Sequence, residues 1–134
     1  MQIVADAVWD AMHETGVSWV GFYVDEPAEP DDRRLVLGPH RDGPACSPIG
    51  LQGVCGQALV TRRVRIVTDV ATLGEAYIAC DPRDRSEIVV PVLGADGVCW
   101  GVLDLDSHDV EAFDASDAIG LTRGLAAAGF ASPA

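Results

Sequence analysis

The stretch Ile88-Val89-Val90-Pro91-Val92-Leu93-Gly94-Ala95-Asp96-Gly97-Val98-Cys99-Trp100-Gly101-Val102-Leu103-Asp104-Leu105 reads as two strands, 88–93 and 98–105, around a turn. Apolar and β-branched residues on both sides of an Asp-Gly pair are a strong hairpin signal. Turn geometry sets register, and register sets which side chains share a face. A two-residue turn at Ala95-Asp96 places Glu87 opposite Asp104; one at Asp96-Gly97 places it opposite Asp106. Either turn puts Glu87, Asp104 and Asp106 on one face, extended by Trp100 and Val102. Ile88, Val90, Val92, Cys99, Leu103 and Leu105 then point the other way. A three-residue loop or a bulge breaks this parity. Three acids on one sheet face have a plain reading, a solvated strand edge. The sharper reading is a pocket for a cation such as an ammonium, in which crowding keeps a proton on one carboxyl near neutrality.

Outward from the hairpin, Ile3, Val4, Ala7, Val8, Ala11 and Met12 recur with helical period, predicting an amphipathic helix over 2–14 that stops before Gly16. Val17–Val24 reads as a strand, 25–32 as an acidic exposed loop, and 34–37 as a second strand. Residues 38–52, rich in Pro and Gly, read as a long irregular loop, and such loops often carry function. A short helix over 53–61 and a strand over 64–68 follow. Residues 72–85 are irregular, although Asp81-Pro82 has the form of an N-cap with proline at the first helical position. A helix over 114–128 begins behind the capping pattern Asp114-Ala115-Ser116-Asp117. Strands do not alternate regularly with helices, so the expected class is α+β, a mostly antiparallel central sheet with helices packed on one face. The chain is expected to form a single domain over 1–134, with 131–134 a disordered tail.

The 134 residues carry a formal net charge of −12, and every basic residue is Arg. That sign repels phosphate backbones and anionic lipid, so neither nucleic acid nor membrane is an expected partner. The first residues lack the basic region of a secretory signal, and the chain reads as cytoplasmic. Its four cysteines, at 46, 55, 80 and 99, have none of the short paired spacings of a zinc knuckle, and no two histidines stand at i, i+4. No metal and no cofactor is expected. In a reducing compartment the thiols are either inert and buried or reactive. Cys99, on the apolar strand face, fits a small core residue. Cys46, Cys55 and Cys80 lie in or beside loops, where reactive groups usually sit.

Seven segments, in order, resemble the free methionine-(R)-sulfoxide reductases, a family of small stand-alone GAF domains. They are Trp19-Val20-Gly21-Phe22-Tyr23, Leu35-Val36-Leu37-Gly38-Pro39, Pro44-Ala45-Cys46, Gly53-Val54-Cys55-Gly56, Ile78-Ala79-Cys80-Asp81, Ser86-Glu87-Ile88-Val89-Val90-Pro91 and Gly101-Val102-Leu103-Asp104-Leu105-Asp106-Ser107. The resemblance implies a GAF fold and a cysteine-based reduction of free methionine sulfoxide, through a sulfenic acid and a disulfide that a thioredoxin-type reductant reopens. Carried over residue by residue, it implies Cys80 as nucleophile, Cys46 as resolving partner and Cys55 as an auxiliary or alternative thiol. It implies that Glu87 contacts or protonates the sulfoxide oxygen and that Asp104 and Asp106 hold the substrate ammonium. Trp19 would pack on the S-methyl group and Tyr23 line the pocket. A homodimer is implied as well.

The chain departs from the family pattern at Ala76-Tyr77, where glycine-histidine is usual. It also departs in a Cys46–Cys55 loop one residue short, at Pro82-Arg83-Asp84-Arg85, and in the 18 residues before Trp19, fewer than is typical. The alternative function is a non-catalytic GAF module that binds a small ligand or senses redox state through its thiols.

Overall fold

The computed structural model describes residues 1–41, 45–74, 77 and 80–132. Helix α1 (Gln2–Met12) leads into strand β1 (Val17–Asp25), and strand β2 (Leu35–Arg41) follows. Next come helix α2 (Val54–Thr61), strand β3 (Arg65–Val67), strands β4 (Ser86–Leu93) and β5 (Cys99–Ser107), and helix α3 (Ala115–Ala127). The five strands form one sheet in the order β2-β1-β5-β4-β3, with every neighbouring pair antiparallel. This is the expected α+β architecture.

The sheet separates two apolar clusters. On one face α1 (Val4, Ala5) and α3 (Leu121, Leu125) cover Val20, Phe22, Ile88, Val90, Val92, Leu103 and Leu105. On the other, α2 (Val54, Cys55, Ala58, Leu59) covers Trp19, Tyr23, Val67, Val89 and Val102. The expectation of helices on one face therefore holds for α1 and α3, while α2 takes the opposite side. Burying both faces is what lets central strands such as β4 read as a nearly continuous apolar run. Each fully buried aliphatic side chain in these layers contributes about 1.5–3 kcal/mol of transfer free energy.

Local sequence explains the element ends. Helix α3 begins at a capping box in which the Asp114 carboxylate accepts from the Ser116 and Asp117 amides and Asp117 reciprocates to the Asp114 amide. The first helix ends at Met12, and a 3-10 turn carries the chain over 13–15 to Gly16, which takes φ 113°. Strand β2 runs to Arg41, through residues expected to be irregular. It is an edge strand whose register shifts opposite Gly21/Tyr23, and an edge with a bulge accommodates Gly38-Pro39 without costing a central ladder bond. Asp81-Pro82 opens a single turn, closed by the Asp84 amide on the Asp81 carbonyl, and no helix follows. Ala131, expected in a disordered tail, exchanges both backbone hydrogen bonds with Leu93; Pro133 and Ala134 lie outside the described residues.

The β4–β5 hairpin has both irregularities that could spoil its parity, and they cancel. Its tip is a three-residue loop, with the Gly94 amide bonded to the Val98 carbonyl, and a bulge follows between Val92 and Leu93. Beyond the bulge the pairing is Ser86 with Ser107, Glu87 with Asp106 and Val89 with Asp104. Glu87, Asp104 and Asp106 thus share a face as expected. Between bulge and tip, parity is reversed from the expectation: Cys99 joins the α2 side and Trp100 the α1–α3 side, where it meets Phe130 at 5.7 Å between ring centroids.

Helix α2 is seated through Gly56, where an added Cβ would stand 2.1 Å from the Leu51 carbonyl oxygen. Backbone cannot yield there as a flexible side chain can. Gly56→Ala is expected to lower stability by about 1–3 kcal/mol, in the range of overpacked cores, read as a lower urea midpoint at unchanged m-value.

Candidate active site

The candidate site grows from one row of residues across the α2 face of the sheet. Trp19 on β1 stands opposite Asp106 on β5, which stands opposite Glu87 on β4, and Gly21 opposite Asp104 forms the adjacent row. Trp19 can lie flat along this face because position 21 is glycine: a Cβ there would come within 2.3 Å of the indole ring. Tyr23, two residues further on, stands 6.0 Å from Trp19 between ring centroids and donates its hydroxyl to the Cys46 carbonyl at 2.8 Å. The strand thereby ties down the loop that carries Cys46.

Cys46 and Cys80 are joined in a disulfide, with their Cα atoms 5.5 Å apart. Two irregular segments separated by 34 positions are closed on one another. Cys55, in the first turn of α2, is buried and free, as is Cys99. Cys80, Cys55, Trp19, Tyr23, Glu87, Asp104 and Asp106 line one cavity of about 40 Å³, together with Ala45, Ile49, Val54, Tyr77 and Asp84. All of the residues singled out in the sequence except Cys46 line it directly, and Cys46 is bonded to one that does. Cys99, read as structural, lies elsewhere in the core.

Two lining residues with ionisable side chains, Tyr77 and Asp84, were not among the sequence candidates. Tyr77 occupies the position where the family pattern has histidine, and burial raises its hydroxyl pKa, reinforced by the negative field of Asp106 and Glu87. Asp84 is buried, and burial together with the charge of Asp81 raises its carboxyl to about 6. Asp81 itself is held down at about 2, chiefly by its hydrogen bonds to the Arg83 side chain. The signal for Asp84 was present in the sequence, as an acid in the segment that departs from the family pattern.

Electrostatics define what the cavity can bind. Glu87 and Asp104 are buried, Asp106 nearly so, and no cationic side chain among the described residues lines the cavity. Desolvation, aggravated by each carboxyl's neighbours, raises all three pKa values well above the ordinary range. Burial and the Asp104 charge likewise raise the Cys55 thiol. Oδ1 of Asp104 and Nε1 of Trp19 are buried without a hydrogen-bond partner among the described residues. An acceptor and a donor are therefore left over for a ligand, beside acids that a cation would allow to ionise. As for metal, ligand atoms of Cys55, Glu87 and Asp104 lie within 4.8 Å of one another, and so do those of Asp81, Asp84 and His108.

The fold is an α+β antiparallel sheet covered on both faces, with an acid-lined cavity on its α2 face and a disulfide at one wall. The chain belongs to the GAF domain family, whose model matches residues 1–131. It is 42% identical over 113 residues to the free methionine-R-sulfoxide reductase of Saccharomyces cerevisiae, covering 82% of this chain and 61% of that protein. It is 39% identical over 111 residues to the protein of the same name from Escherichia coli, covering 81% of this chain and 62% of that one. The chain thus spans about six-tenths of these curated relatives' length. Among solved structures, the Neisseria meningitidis free methionine-R-sulfoxide reductase in complex with its substrate superposes with a TM-score of 0.79 at 38% identity, covering 92% of this chain and 72% of that one. No helix among the described residues is long and apolar enough to cross a membrane.

The raised carboxyls make stability depend on pH with a definite sign. Above the ordinary carboxylate range the unfolded chain has lost protons that Glu87 and Asp104 still hold when folded, so their contribution is full at low pH and is lost as pH rises. Thermal melts from about pH 5 to about pH 8 are expected to show a falling midpoint in the wild type. Glu87→Gln and Asp104→Asn are each expected to flatten that fall and to exceed the wild type in stability at the upper end. A slope unchanged by both substitutions would show that these carboxyls ionise normally.

Proposed function

We propose that this chain reduces free methionine-R-sulfoxide to methionine with its own cysteines. One observation carries the reading: Cys80, oxidised together with Cys46, lines the same cavity as the three buried acids and Trp19. That juxtaposition supports a redox dithiol acting on a small cationic ligand. The likeness to reductases that bear this name supports the identity of the ligand.

In the proposed cycle the substrate ammonium enters among Asp104 and Asp106 and lets them ionise. Their negative charge then helps to keep a proton on Glu87, the separation of roles that neighbouring carboxyls allow. Trp19 and Tyr23 form the wall for the S-methyl group. The Cys80 thiolate attacks the sulfoxide sulfur while Glu87 protonates the oxygen. The protonated oxygen then passes from the substrate sulfur to Cys80 as the transient sulfur–sulfur bond and the substrate S–O bond break, releasing methionine and leaving a sulfenic acid on Cys80. The Cys46 thiol then displaces water from that sulfenic acid and forms the disulfide. One sulfoxide and two thiols become one thioether, one disulfide and one water, so the two electrons gained by the substrate sulfur are those lost by the cysteines. A thioredoxin-type dithiol reopens the bond by exchange. Cys55, with a thiol that burial and neighbouring acids keep protonated, lines the pocket and is not the attacking group. A cytoplasmic setting and a homodimer belong to the same reading.

The cavity is small for such a ligand. At about 40 Å³ it holds a few waters rather than an amino acid, so the disulfide form is read as the state after methionine has left. Methionine-R-sulfoxide is expected to bind reduced Cys80→Ser by calorimetry and not the oxidised wild type.

The reaction is tested by following methionine release from the R and S epimers separately, with dithiothreitol as reductant. The R epimer alone is expected to turn over, and Cys80→Ser to abolish the reaction. Glu87→Gln is expected to lower kcat by about 10²–10⁴, the usual contribution of a positioned general acid, and Asp104→Asn to act chiefly on KM. Absence of turnover with either epimer would overturn the proposal in favour of a ligand-binding or redox-sensing module.

A further inference from the structure

Just outside the cavity, the β4–β5 pairing brings two chain segments together. Ser86 pairs with Ser107, and the Arg85 amide bonds the Ser107 carbonyl at 2.8 Å. The turn 81–84, which precedes β4, therefore faces His108, which follows β5. His108 Nε2 stands 3.3 Å from Oδ2 of Asp81 and 3.8 Å from Oδ1 of Asp84. The first distance is long for a charge-assisted hydrogen bond, and the second is no hydrogen bond at all. Asp84 is only 7% exposed, and its Oδ1, the atom aimed at His108, has no hydrogen-bond partner among the described residues. The neighbouring guanidinium, Arg83, is engaged by Asp81 through both carboxylate oxygens. A buried carboxylate oxygen without a donor is costly.

We propose that Asp81, Asp84 and His108 form a binding site for a divalent transition-metal ion of borderline hardness, with Zn²⁺ a good fit. Ligands at 2.0–2.1 Å around a tetrahedral ion stand about 3.3–3.4 Å apart. The imidazole nitrogen is near that spacing from one carboxylate oxygen and a few tenths of an ångström beyond it from the other. One imidazole with two carboxylates suits Zn²⁺, Co²⁺, Mn²⁺ or Fe²⁺ rather than a soft ion. Arg83 holds Asp81 ionised and oriented, the outer-sphere support that ligating carboxylates commonly have. The half-exposed His108 opens the site to solvent, and three protein ligands leave a position for water. Because Asp81 follows Cys80 directly and Asp84 lines the cavity, a bound ion would staple the Cys80 turn to the end of β5. The site escapes a search of ligand spacing along the chain, since its third ligand arrives across the sheet. It does not depend on the reaction proposed above.

The test is a titration of the full chain, with Cys46 and Cys80 oxidised, by Co²⁺ followed by visible absorption and calorimetry. One equivalent is expected to bind, with d–d bands in the visible and no sulfur-to-cobalt charge-transfer band, and Zn²⁺ is expected to displace it. Asp84→Asn and His108→Ala, each checked for native circular dichroism, are expected to weaken binding at least about tenfold. His108 is partly exposed, so its substitution keeps the test open if Asp84→Asn fails to fold. Failure to bind Co²⁺ in large excess would overturn the proposal. So would binding that both variants retain. A charge-transfer band would also overturn it, by placing the ion at Cys55, Glu87 and Asp104.

Discussion

A slip of one residue between β4 and β5 would carry Glu87 to the α1–α3 side of the sheet, away from Asp104 and Asp106, and leave Ser86 or Ile88 in its place. The register prevents this because each face has its own cover. Ile88, Val90, Leu103 and Leu105 are fully buried beneath α1 and α3, and Val89 and Val102 beneath α2. Moving any of them across would put carboxyls into an apolar layer that offers no partner. The pairing also delivers Ser86 to Ser107, and with them the Cys80–Asp84 turn and His108. Cavity, disulfide loop and outer acid cluster all hang from this one ladder.

The price of the site is electrostatic. A chain with net charge −12 places three of its acids where water is scarce and no cationic side chain among the described residues lines the wall. Folding tolerates this because the carboxyls can keep protons, and a ligand that brings positive charge recovers what burial withheld. The opposite arrangement holds a few residues away, where Arg83 keeps Asp81 ionised. Two acidic groups on neighbouring segments are thus set to opposite protonation states by burial in one case and by an adjacent guanidinium in the other.

Much of this was legible before the fold was known. The capping pattern at Asp114, the amphipathic period of α1 and the hairpin around Gly94–Gly97 are local signals, and local physics realises each one. Parity along the hairpin brought the three acids together independently of any family likeness. The same reasoning misplaced Cys99 and Trp100, because a bulge is a tertiary accommodation: it offsets the three-residue tip and lets Trp100 reach Phe130. Residues 38–41 looked irregular from their glycine and proline, yet at a sheet edge such residues cost little and the strand continues. The pairing of Cys46 with Cys80 came from the family likeness alone. Tyr77 and Asp84 were visible only as departures from the family pattern, with no indication that they line the cavity.

The sequence by itself determined most of the elements, the two faces of β4 and of β5 from Val102 onward, and the acids' common side, because periodicity and turn chemistry act over a few residues. Only the tertiary structure decided which thiols meet, which face α2 covers, and that His108 closes on Asp81 and Asp84. Those contacts join segments far apart in the chain. Their geometry follows from how the sheet ladder and the two apolar layers are packed at the same time, and no local pattern encodes that sum.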